Sequence, residues 1–495
     1  MARDVLLGLL VVVAVAGAAP LLIGIYQYLL VGLHAHRHHL DETGPDLPRT
    51  AVLIPAWNEA DVLATTIHQL MRLDYPRDRL VVVVVDDAST DATGEVLAAL
   101  AAEHPGMVVH LRREDGGQGK AHTLNHGLRA LLADGWMEAL LVMDADVVYE
   151  PDSLRRMARH LADPEVGAVT AYIKEGSEGG SYLTRFVAYE YVTAQAAARR
   201  SQHAIGAIAC LAGGAQLHSR ANLEALGGQI DTSTLAEDTI TTFETQRAGR
   251  KVVFEPHAVV WAEEPGDITG LWKQRLRWAR GNVQVTRRYK GQWLRPSTVH
   301  RLGSVTFALL WFATLLLPVV MITSAAALVA LWGLDRDLST DAFRALWIVN
   351  ALGFVFTTTF ALLLDPSTTR RAWKEAVLFP GVISLFVILH ACVPAVFRSA
   401  AGAATDLTGI RLGTEGSDLF LLAAYLWVAV CMPASWLAKR IDQAGFRRLA
   451  GVLVYVVGYG PILCAVTFAA YVAEARGAEQ RWDKTVKTGK VAART

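Results

Sequence analysis

Residues 139–146, "ALLVMDAD", decide the fold, because a short apolar run of strand type ends there in two aspartates. Four further runs rich in valine, isoleucine and leucine share this character: "AVLIPA" (51–56), "LVVVVVDD" (80–87), "MVVHLR" (107–112) and "VGAVTA" (166–171). Uninterrupted apolar runs of this length suit strands that are covered on both faces. Helical stretches such as 60–72 and 151–161 separate them, so the sequence predicts an α/β fold with a doubly wound, mostly parallel sheet.

The rest of the chain is more apolar. Of its 495 residues 53% are hydrophobic, and 47 basic against 47 acidic residues leave no net charge that would indicate a nucleic-acid partner. Uncharged apolar runs lie near 5–33, 304–334, 345–364, 376–397, 419–438 and 449–473. Each approaches or exceeds the roughly 20 residues that cross a bilayer. The pattern therefore predicts a multi-pass membrane protein with one large aqueous domain.

Five regions follow from this pattern. They are an N-terminal transmembrane anchor (1–34), the aqueous α/β domain (35–270), amphipathic interface helices (271–303), four or five transmembrane or interface segments (304–475) and a basic tail (476–495). The stretch "VAGAAP" (15–20) is similar to a signal-peptide cleavage site. Because the apolar run continues beyond it to residue 33, an uncleaved anchor is favoured.

The basic loops predict the orientation. "STTRRAWK" (367–374) and "AKRIDQAGFRR" (438–448) are rich in lysine and arginine, which favours the cytoplasmic side of a plasma membrane. The aqueous domain is then also cytoplasmic. Five crossings after that domain would place the basic tail outside, so either the tail breaks this rule or one apolar segment lies on the surface or re-enters. The segment 376–397, with Pro380 and Pro394, is the favoured candidate.

Polar residues close the predicted strands. They occur in "PAWNEA" (55–60), "VDDASTDAT" (85–93), "EDGGQGKAHTLNHG" (114–127) and "MDAD" (143–146). Ligands of such sheets bind at the carboxyl ends of the strands. Asp144 and Asp146 can present oxygens to one hard cation, Mg²⁺ or Mn²⁺, which keeps coordination sites for phosphate. Each motif alone could be an acidic turn or a helix cap, but four in order favour a site.

With "AGGAQLHSR" (212–220), "LAEDT" (235–239) and "QRLRW" (274–278), these motifs resemble the membrane-embedded family 2 glycosyltransferases. That family includes the synthases of poly-N-acetylglucosamine, hyaluronan, chitin and cellulose. The resemblance spans about residues 50–285. It implies a glycosyltransferase A-type (GT-A) fold that uses a nucleotide-diphospho-sugar together with a metal ion.

The resemblance also implies residue roles. Asp86 or Asp87, with Glu59, would hold the uridine, and Lys120 would lie near the nucleotide or diphosphate. The DxD pair consists of Asp144, on the donor side, and Asp146, the expected direct metal ligand.

The element "LAEDT" supplies Glu237 and Asp238, and the resemblance makes Asp238 the base of an inverting transfer. Ala236 stands where the family usually has threonine. Alternatively the two acids favour the first turn of a helix, and both interpretations can hold together. Gly213 and Gly214 would let backbone approach the acceptor closely, or could mark a plain turn.

On a helical wheel of "LWKQRLRWARGNVQV" (271–285), Gln274, Arg277 and Trp278 fall on one side. The opposite side is mainly apolar, so a basic belt on the membrane surface is one interpretation. The motif matches the family's Q(Q/R)xRW element. It implies that Gln274 and Trp278 contact the acceptor sugar, that Arg277 reaches the diphosphate, and that synthesis is processive.

The sequence thus predicts a processive inverting β-glycosyltransferase that extends a polysaccharide from a cytosolic UDP-sugar and moves it across the membrane. UDP-N-acetylglucosamine and poly-β-N-acetylglucosamine are the favoured donor and product. Alternatives are hyaluronan, chitin or a β-glucan such as cellulose, a non-processive lipid-linked transferase, and, outside enzymes, a transporter or inactive scaffold. Expected partners are the UDP-sugar, the growing polysaccharide, the lipid bilayer and accessory subunits. The tail stretch "RWDKTVKTGK" (481–490) could be a gating segment or a disordered end.

Overall fold

The computed structural model describes residues 1–36, 43–393, 414–479 and 491, with only the backbone described for 414–420. The predicted gating stretch 481–490 and Pro394 lie outside the described residues. The chain divides into two compact units. The sheet unit comprises Leu29–Gly266, Arg280–Ala308 and Gly477–Thr495, and the helical unit comprises Met1–Tyr28, Asp267–Ala279 and Leu309–Arg476.

An eight-stranded sheet forms the centre of the sheet unit. Its strands are β1 Thr50–Ala56, β2 Leu80–Asp86, β3 Val108–Arg112, β4 Ala139–Val142, β5 Val147–Tyr149, β6 Val166–Glu175, β7 Gln216–Ser219 and β8 Lys251–Ala262. Their order is β3-β2-β1-β4-β7-β6-β8-β5. The pairs β3–β2, β2–β1, β1–β4 and β6–β8 are parallel, whereas β7 and β5 pair antiparallel with their neighbours. The predicted α/β fold with a mostly parallel sheet is confirmed.

All five predicted strands form, with one difference at the stretch that decides the fold. β4 ends at Val142 rather than at Asp146, and the chain resumes pairing at Val147 with β8 instead of β1. Met143 still donates its backbone N–H to Leu53 of β1, and the residues 144–146 then leave the ladder. Asp144 and Asp146, two residues apart, are both partly exposed at this carboxyl edge of the sheet.

Helices cover the sheet. They are α3 Ala60–Leu70, α4 Thr93–Glu103, α5 Lys120–Asp134, α6 Ser153–Ala158, α7 Tyr182–Tyr191, α8 Ala198–Ala204, α9 Arg220–Ala225 and α10 Glu237–Arg247. α5 packs tightly on β1 and β2 through Gly127, where an added Cβ would lie 2.9 Å from Val85 Cγ2. Leu124 and Leu128 on the same helix are buried with Leu53 in one apolar cluster. The helix therefore fixes Lys120, its first residue, against the sheet.

The helical unit contains mostly long apolar helices. The remaining helices of the described residues are α1 Ala2–Val15, α2 Ala19–His36, α11 Ile268–Arg288, α12 Val305–Leu315, α13 Leu317–Leu334, α14 Arg336–Leu364, α15 Pro366–Val377, α16 Val382–Cys392, α17 Thr414–Gln443, α18 Arg447–Val457 and α19 Tyr459–Ala475. Among the described residues, four helical stretches are long and apolar enough to cross a membrane, or six if each bent pair is counted as one span. This composition indicates a membrane protein.

Two of these apolar stretches are broken. α15 and α16 meet at 72°, and α18 and α19 meet at 97°. The first break falls within the segment 376–397, the candidate that the sequence offers for a segment that does not cross the membrane. The second break, in 449–473, and the division of 304–334 into α12 and α13 are not predicted.

The two breaks contact each other. Gly381 and Gly458 both have positive φ angles, of 86° and 105°, which L side chains rarely adopt. An added Cβ on Gly458 would lie 2.5 Å from the carbonyl carbon of Pro380. The carbonyl oxygen of Phe379 accepts hydrogen bonds from the backbone nitrogens of Tyr459 (2.9 Å) and Gly460 (3.1 Å). Each break thus supplies partners for backbone groups that the other leaves outside a helix.

Candidate active site

The first part of the candidate site is built at the ends of β1 and β2. Asp86 is fully buried, and it accepts hydrogen bonds from Arg112 Nη1 (2.5 Å) and from the backbone nitrogen of Ser89 (2.8 Å). Asp87 is paired with Arg113 and accepts from the backbone nitrogen of Gly117 (3.0 Å). Asp87 therefore links the glycine-rich loop 116–119 to the end of β2. The sequence prediction missed both arginines, although "HLRRED" after β3 carries them.

The turns after β1 and β2 are linked to each other. Glu59 precedes α3 and its backbone nitrogen donates to Thr93 Oγ1 (2.8 Å), while Asn58 Oδ1 accepts from the backbone nitrogen of Thr90 (2.8 Å). Asn58 and Ala88 have φ angles of 53° and 54°. For Ala88 this left-handed conformation is strained, and such strain clusters at ligand-binding turns.

The second part of the site centres on Lys120. Its Nζ lies 2.5 Å from Asp144 Oδ1 and 3.9 Å from Glu237 Oε1, and it donates to the carbonyl oxygen of Gly213 at 3.1 Å. Burial lowers the pKa of Lys120, but the charges of Asp144 and Glu237 outweigh it, and the net pKa is raised. The lysine is therefore charged and holds three chain segments together.

Gly213 and Gly214 bring backbone into the middle of these charged groups. An added Cβ on Gly213 would lie 3.4 Å from both Asp238 Oδ2 and Lys120 Nζ. On Gly214 it would lie 3.5 Å from Asp144 Oδ2 and 2.9 Å from Val147 Cγ2. Side chains at these positions would fill the space between the carboxylates, so the glycines keep that space open.

Asp238 lies in the first turn of α10, where the helix dipole favours an anion. Its Oδ1 accepts from the backbone nitrogen of Thr239 (2.7 Å). The sequence prediction missed two groups that adjoin it, the buried Arg199 and the partly buried Cys210. Burial, together with the charge of Asp238, raises the pKa of Cys210 well above its usual value. Burial also lowers the pKa of Arg199, although Cys210 and Asp238 partly offset that effect.

The fit of a divalent cation rests on Asp144 and Asp146, which are both partly exposed at the released end of β4. Carboxylate oxygens suit Mg²⁺ or Mn²⁺. Among the described residues, three potential ligands within reach of one ion occur at His68, Glu103 and His104. That group lies at the ends of α3 and α4, away from the carboxyl edge of the sheet. A cation at the aspartates would therefore complete its coordination with phosphate oxygens and water.

The predicted residues Gln274, Arg277 and Trp278 lie in the helical unit, on the first half of α11. Trp278 is 38% exposed, and the guanidinium of Arg275 lies 4.2 Å from its ring centroid. Gln274 and Arg275 are buried and hydrogen-bonded to each other. The opposite side of the helix buries Trp272, as the helical wheel predicts. One face of the indole is thus already covered by a cation.

Comparisons with known proteins show similarity to glycosyltransferases. Residues 48–281 match the family model for "Glycosyltransferase like family 2". A probable glycosyltransferase of Bacillus subtilis, YdaM, is 32% identical over 256 residues, which are 51% of this chain and 60% of the relative. A poly-beta-1,6-N-acetyl-D-glucosamine synthase of Staphylococcus epidermidis is 29% identical over 234 residues, 47% of this chain and 54% of the relative. The matched region thus spans little more than half the length of these relatives.

A solved structure supports the fold. The mannosyltransferase PcManGT of Pyrobaculum calidifontis, in complex with GDP-Man and Mn²⁺, aligns with a TM-score of 0.55 at 24% identity and covers 79% of this chain and 99% of its own. This likeness confirms the predicted GT-A fold. The predicted resemblance of residues 48–281 to family 2 glycosyltransferases is also confirmed.

Proposed function

We propose that this protein is a processive inverting β-glycosyltransferase that polymerises N-acetylglucosamine from cytosolic UDP-N-acetylglucosamine and moves the polymer across the membrane. The observation that carries the proposal is the convergence of Lys120, Asp144, Gly213 and the Glu237–Asp238 pair in a family 2 domain. Relatives named poly-beta-1,6-N-acetyl-D-glucosamine synthase support the choice of sugar. The apolar helices support a membrane location.

Donor binding is assigned to the ends of β1, β2 and β4. Glu59, Asp86 and Asp87 would surround the nucleoside, and Asp146, with Asp144, would hold the cation. A Mg²⁺ or Mn²⁺ ion there would neutralise the leaving diphosphate. Lys120 exchanges part of its contact with Asp144 for a phosphate oxygen, because a buried ammonium needs an anion beside it.

Transfer is assigned to Asp238. Its carboxylate takes the proton from the acceptor hydroxyl while that oxygen bonds to the anomeric carbon and the bond from that carbon to the diphosphate oxygen breaks. Attack from the face opposite the leaving group converts an α-linked donor into a β-linked product. Glu237 is buried beside Lys120 and keeps the ammonium group of Lys120 oriented toward the diphosphate.

Acceptor binding is assigned to Gly213 and Gly214 and to the residues Gln274, Arg277 and Trp278 of α11. The uncovered face of the Trp278 indole stacks on the acceptor sugar, since its other face is next to Arg275. Arg277 pairs with the diphosphate through its fork of donors. The bilayer and accessory subunits complete the path of the polymer.

The test is a donor panel. The full chain in lipid nanodiscs with Mn²⁺ is given UDP-N-acetylglucosamine, UDP-glucose, UDP-glucuronate or GDP-mannose, and nucleotide release and product length are measured. Many turnovers and a long product are expected with UDP-N-acetylglucosamine alone, digestible by a poly-β-N-acetylglucosamine hydrolase. One addition per acceptor contradicts processivity. A long product that requires another donor contradicts the assigned sugar.

A further inference from the structure

Helix α11 continues beyond Trp278 into the sheet unit, where it packs on the loop 231–236 that immediately precedes α10. Three positions of the helix make the contacts: Gly281, Gln284 and Arg288. Their spacing of three and four residues places them on one face of the helix. The loop is therefore held along its length by a single helix face.

The closest contact is between Gly281 and Ala236. Both are buried, and an added Cβ on Gly281 would lie 2.7 Å from Ala236 Cβ and 3.5 Å from its backbone nitrogen. A real Cβ is essentially never that close to another, so either the helix or the loop would have to move. Glycine within a helix lowers its propensity to form. The close approach to Ala236 gives a reason for glycine at this position.

Two polar contacts extend the attachment. Gln284 Oε1 accepts from the backbone nitrogen of Leu235 at 3.0 Å. Arg288 Nη1 donates to Asp231 Oδ2 at 2.7 Å and to Ser233 Oγ at 2.9 Å. Burial raises the pKa of Asp231, but hydrogen bonds from Ser233 and Arg288 outweigh it, and the net pKa is lowered. The loop is thus fixed by contacts to backbone and side chains, not by one residue.

Ala236 is directly followed by Glu237 and Asp238, so a displacement of the loop reaches both acids within two residues. Proton transfer requires the base within hydrogen-bond reach of the acceptor hydroxyl, and a misplacement of about 1 Å can cost about 100-fold in rate. Gln274, Arg277 and Trp278 lie on the same continuous helix. The part of α11 in the sheet unit therefore holds the loop that leads into the proposed base.

We propose that Gly281, Gln284 and Arg288 form a clamp that fixes the position of Asp238 within the sheet unit. They are positioning residues, because none of them touches the reacting groups. The proposal rests on the assignment of Asp238 as the base. Its consequence is that Gly281 and Ala236 are matched in size, so a change at one is offset by a change at the other.

The experiment is a double-mutant cycle of Gly281→Ala and Ala236→Gly in the full chain. Gly281→Ala is expected to lower kcat by about 10- to 100-fold with the KM for UDP-N-acetylglucosamine changed less than about threefold. The double variant removes the clashing Cβ and is expected to return kcat to within about threefold of Ala236→Gly alone. Gly291→Ala is the matched control, since an added Cβ there meets open space, and it is expected to leave kcat unchanged.

The results separate the clamp from the proposed function. If Gly281→Ala is as active as the wild type, or the double variant is no better than Gly281→Ala, the clamp is wrong. If Asp238→Asn remains active, the assignment of Asp238 as the base is wrong, whatever the result of the double-mutant cycle. Should Gly281→Ala prove unstable, Arg288→Ala and Arg288→Lys test the same clamp without adding an atom to the contact. Arg288→Ala is expected to lower kcat and Arg288→Lys to recover part of it. Equal activity of these two variants contradicts the clamp.

Discussion

The Nζ atom of Lys120 lies 2.5 Å from Oδ1 of Asp144, and the lysine is buried whereas the aspartate side chain is 40% exposed. The ion pair therefore has one fixed partner and one that faces the space where a donor would bind. This asymmetry makes Lys120 the group that neutralises the carboxylates when no diphosphate is bound.

Replacement of Lys120 by methionine is expected to weaken the binding of UDP by about tenfold or more. It removes a cation that would contact phosphate and leaves Asp144 and Glu237 to repel the ligand. Isothermal titration in the presence of Mn²⁺ measures the affinity. Lys251→Met is the control, because its ion pairs with Asp163 and Glu165 are exposed and such pairs contribute little. Unchanged UDP affinity in Lys120→Met would show that Lys120 does not contribute to donor binding.

Asp238→Asn is expected to lower kcat by about 10²- to 10⁴-fold, the usual contribution of a general base. The amide keeps the size of the side chain, so UDP affinity is expected to stay within about twofold. Release of UDP under saturating donor and direct titration of UDP separate the two effects. A variant that retains more than about a tenth of wild-type kcat shows that another group takes the proton.

Trp278→Ala is expected to shorten the polymer and to raise the apparent KM for an oligosaccharide acceptor about fivefold. This corresponds to about 1 kcal/mol for a lost stacking contact. The KM for the donor should not change. Gel electrophoresis of the radiolabelled product reports its length. Trp373→Ala, at an exposed tryptophan of α15, is the control. A parallel loss of donor and acceptor binding would contradict a stacking role.

Stability is expected to depend on His218, a buried residue of β7. Burial lowers its pKa from 6.5 to about 4. The unfolded chain thus binds a proton that the folded chain excludes, so stability is complete above about pH 6.5 and is lost as the pH falls toward 4. The loss is on the order of 3 kcal/mol.

Thermal melting between pH 7 and 4 measures this dependence. The wild type should lose more stability over that range than His218→Gln, which has no titrating group at the position. His257→Gln, at an exposed histidine, should behave as the wild type does. Identical pH profiles for wild type and His218→Gln would show that the histidine is not the titrating group.

Close packing of α5 gives a prediction about folding. Gly127→Ala is expected to destabilise the sheet unit by about 1–3 kcal/mol, because the added methyl group meets Val85 in a filled core. The melting temperature should fall by several degrees. Gly333→Ala adds the same methyl group to a helix where it meets nothing within 4 Å and should cause no such loss. A stable Gly127→Ala would mean that α5 can shift outward.

The sequence predicts the parallel half of the sheet well because that half consists of uninterrupted apolar runs. β2 contains five consecutive valines, and such a run has few alternatives to a buried strand. β7 and β8 are not predicted. β7 has only four residues, three of them polar, and β8 contains Pro256 near a register shift against β6. Their pairing is decided by distant partners, which local patterns do not report.

The candidate site can likewise be predicted only in part from the sequence. Lys120, Asp144 and Asp238 belong to motifs whose order along the chain suggests a common site. Arg199 and Cys210 carry no motif, and their proximity to Asp238 depends on how α8 and the following loop fold back. The contact between Gly281 and Ala236 is equally hidden, because it joins two small residues 45 positions apart.

The paired breaks at Gly381 and Gly458 limit how the helical unit can deform. Separating α15–α16 from α18–α19 would strip the Phe379 carbonyl and two backbone N–H groups of their partners. In apolar surroundings each such group costs several kcal/mol. Backbone hydrogen bonds thus hold these four helices together. The proposed passage of a polymer therefore requires other helices of the helical unit to separate.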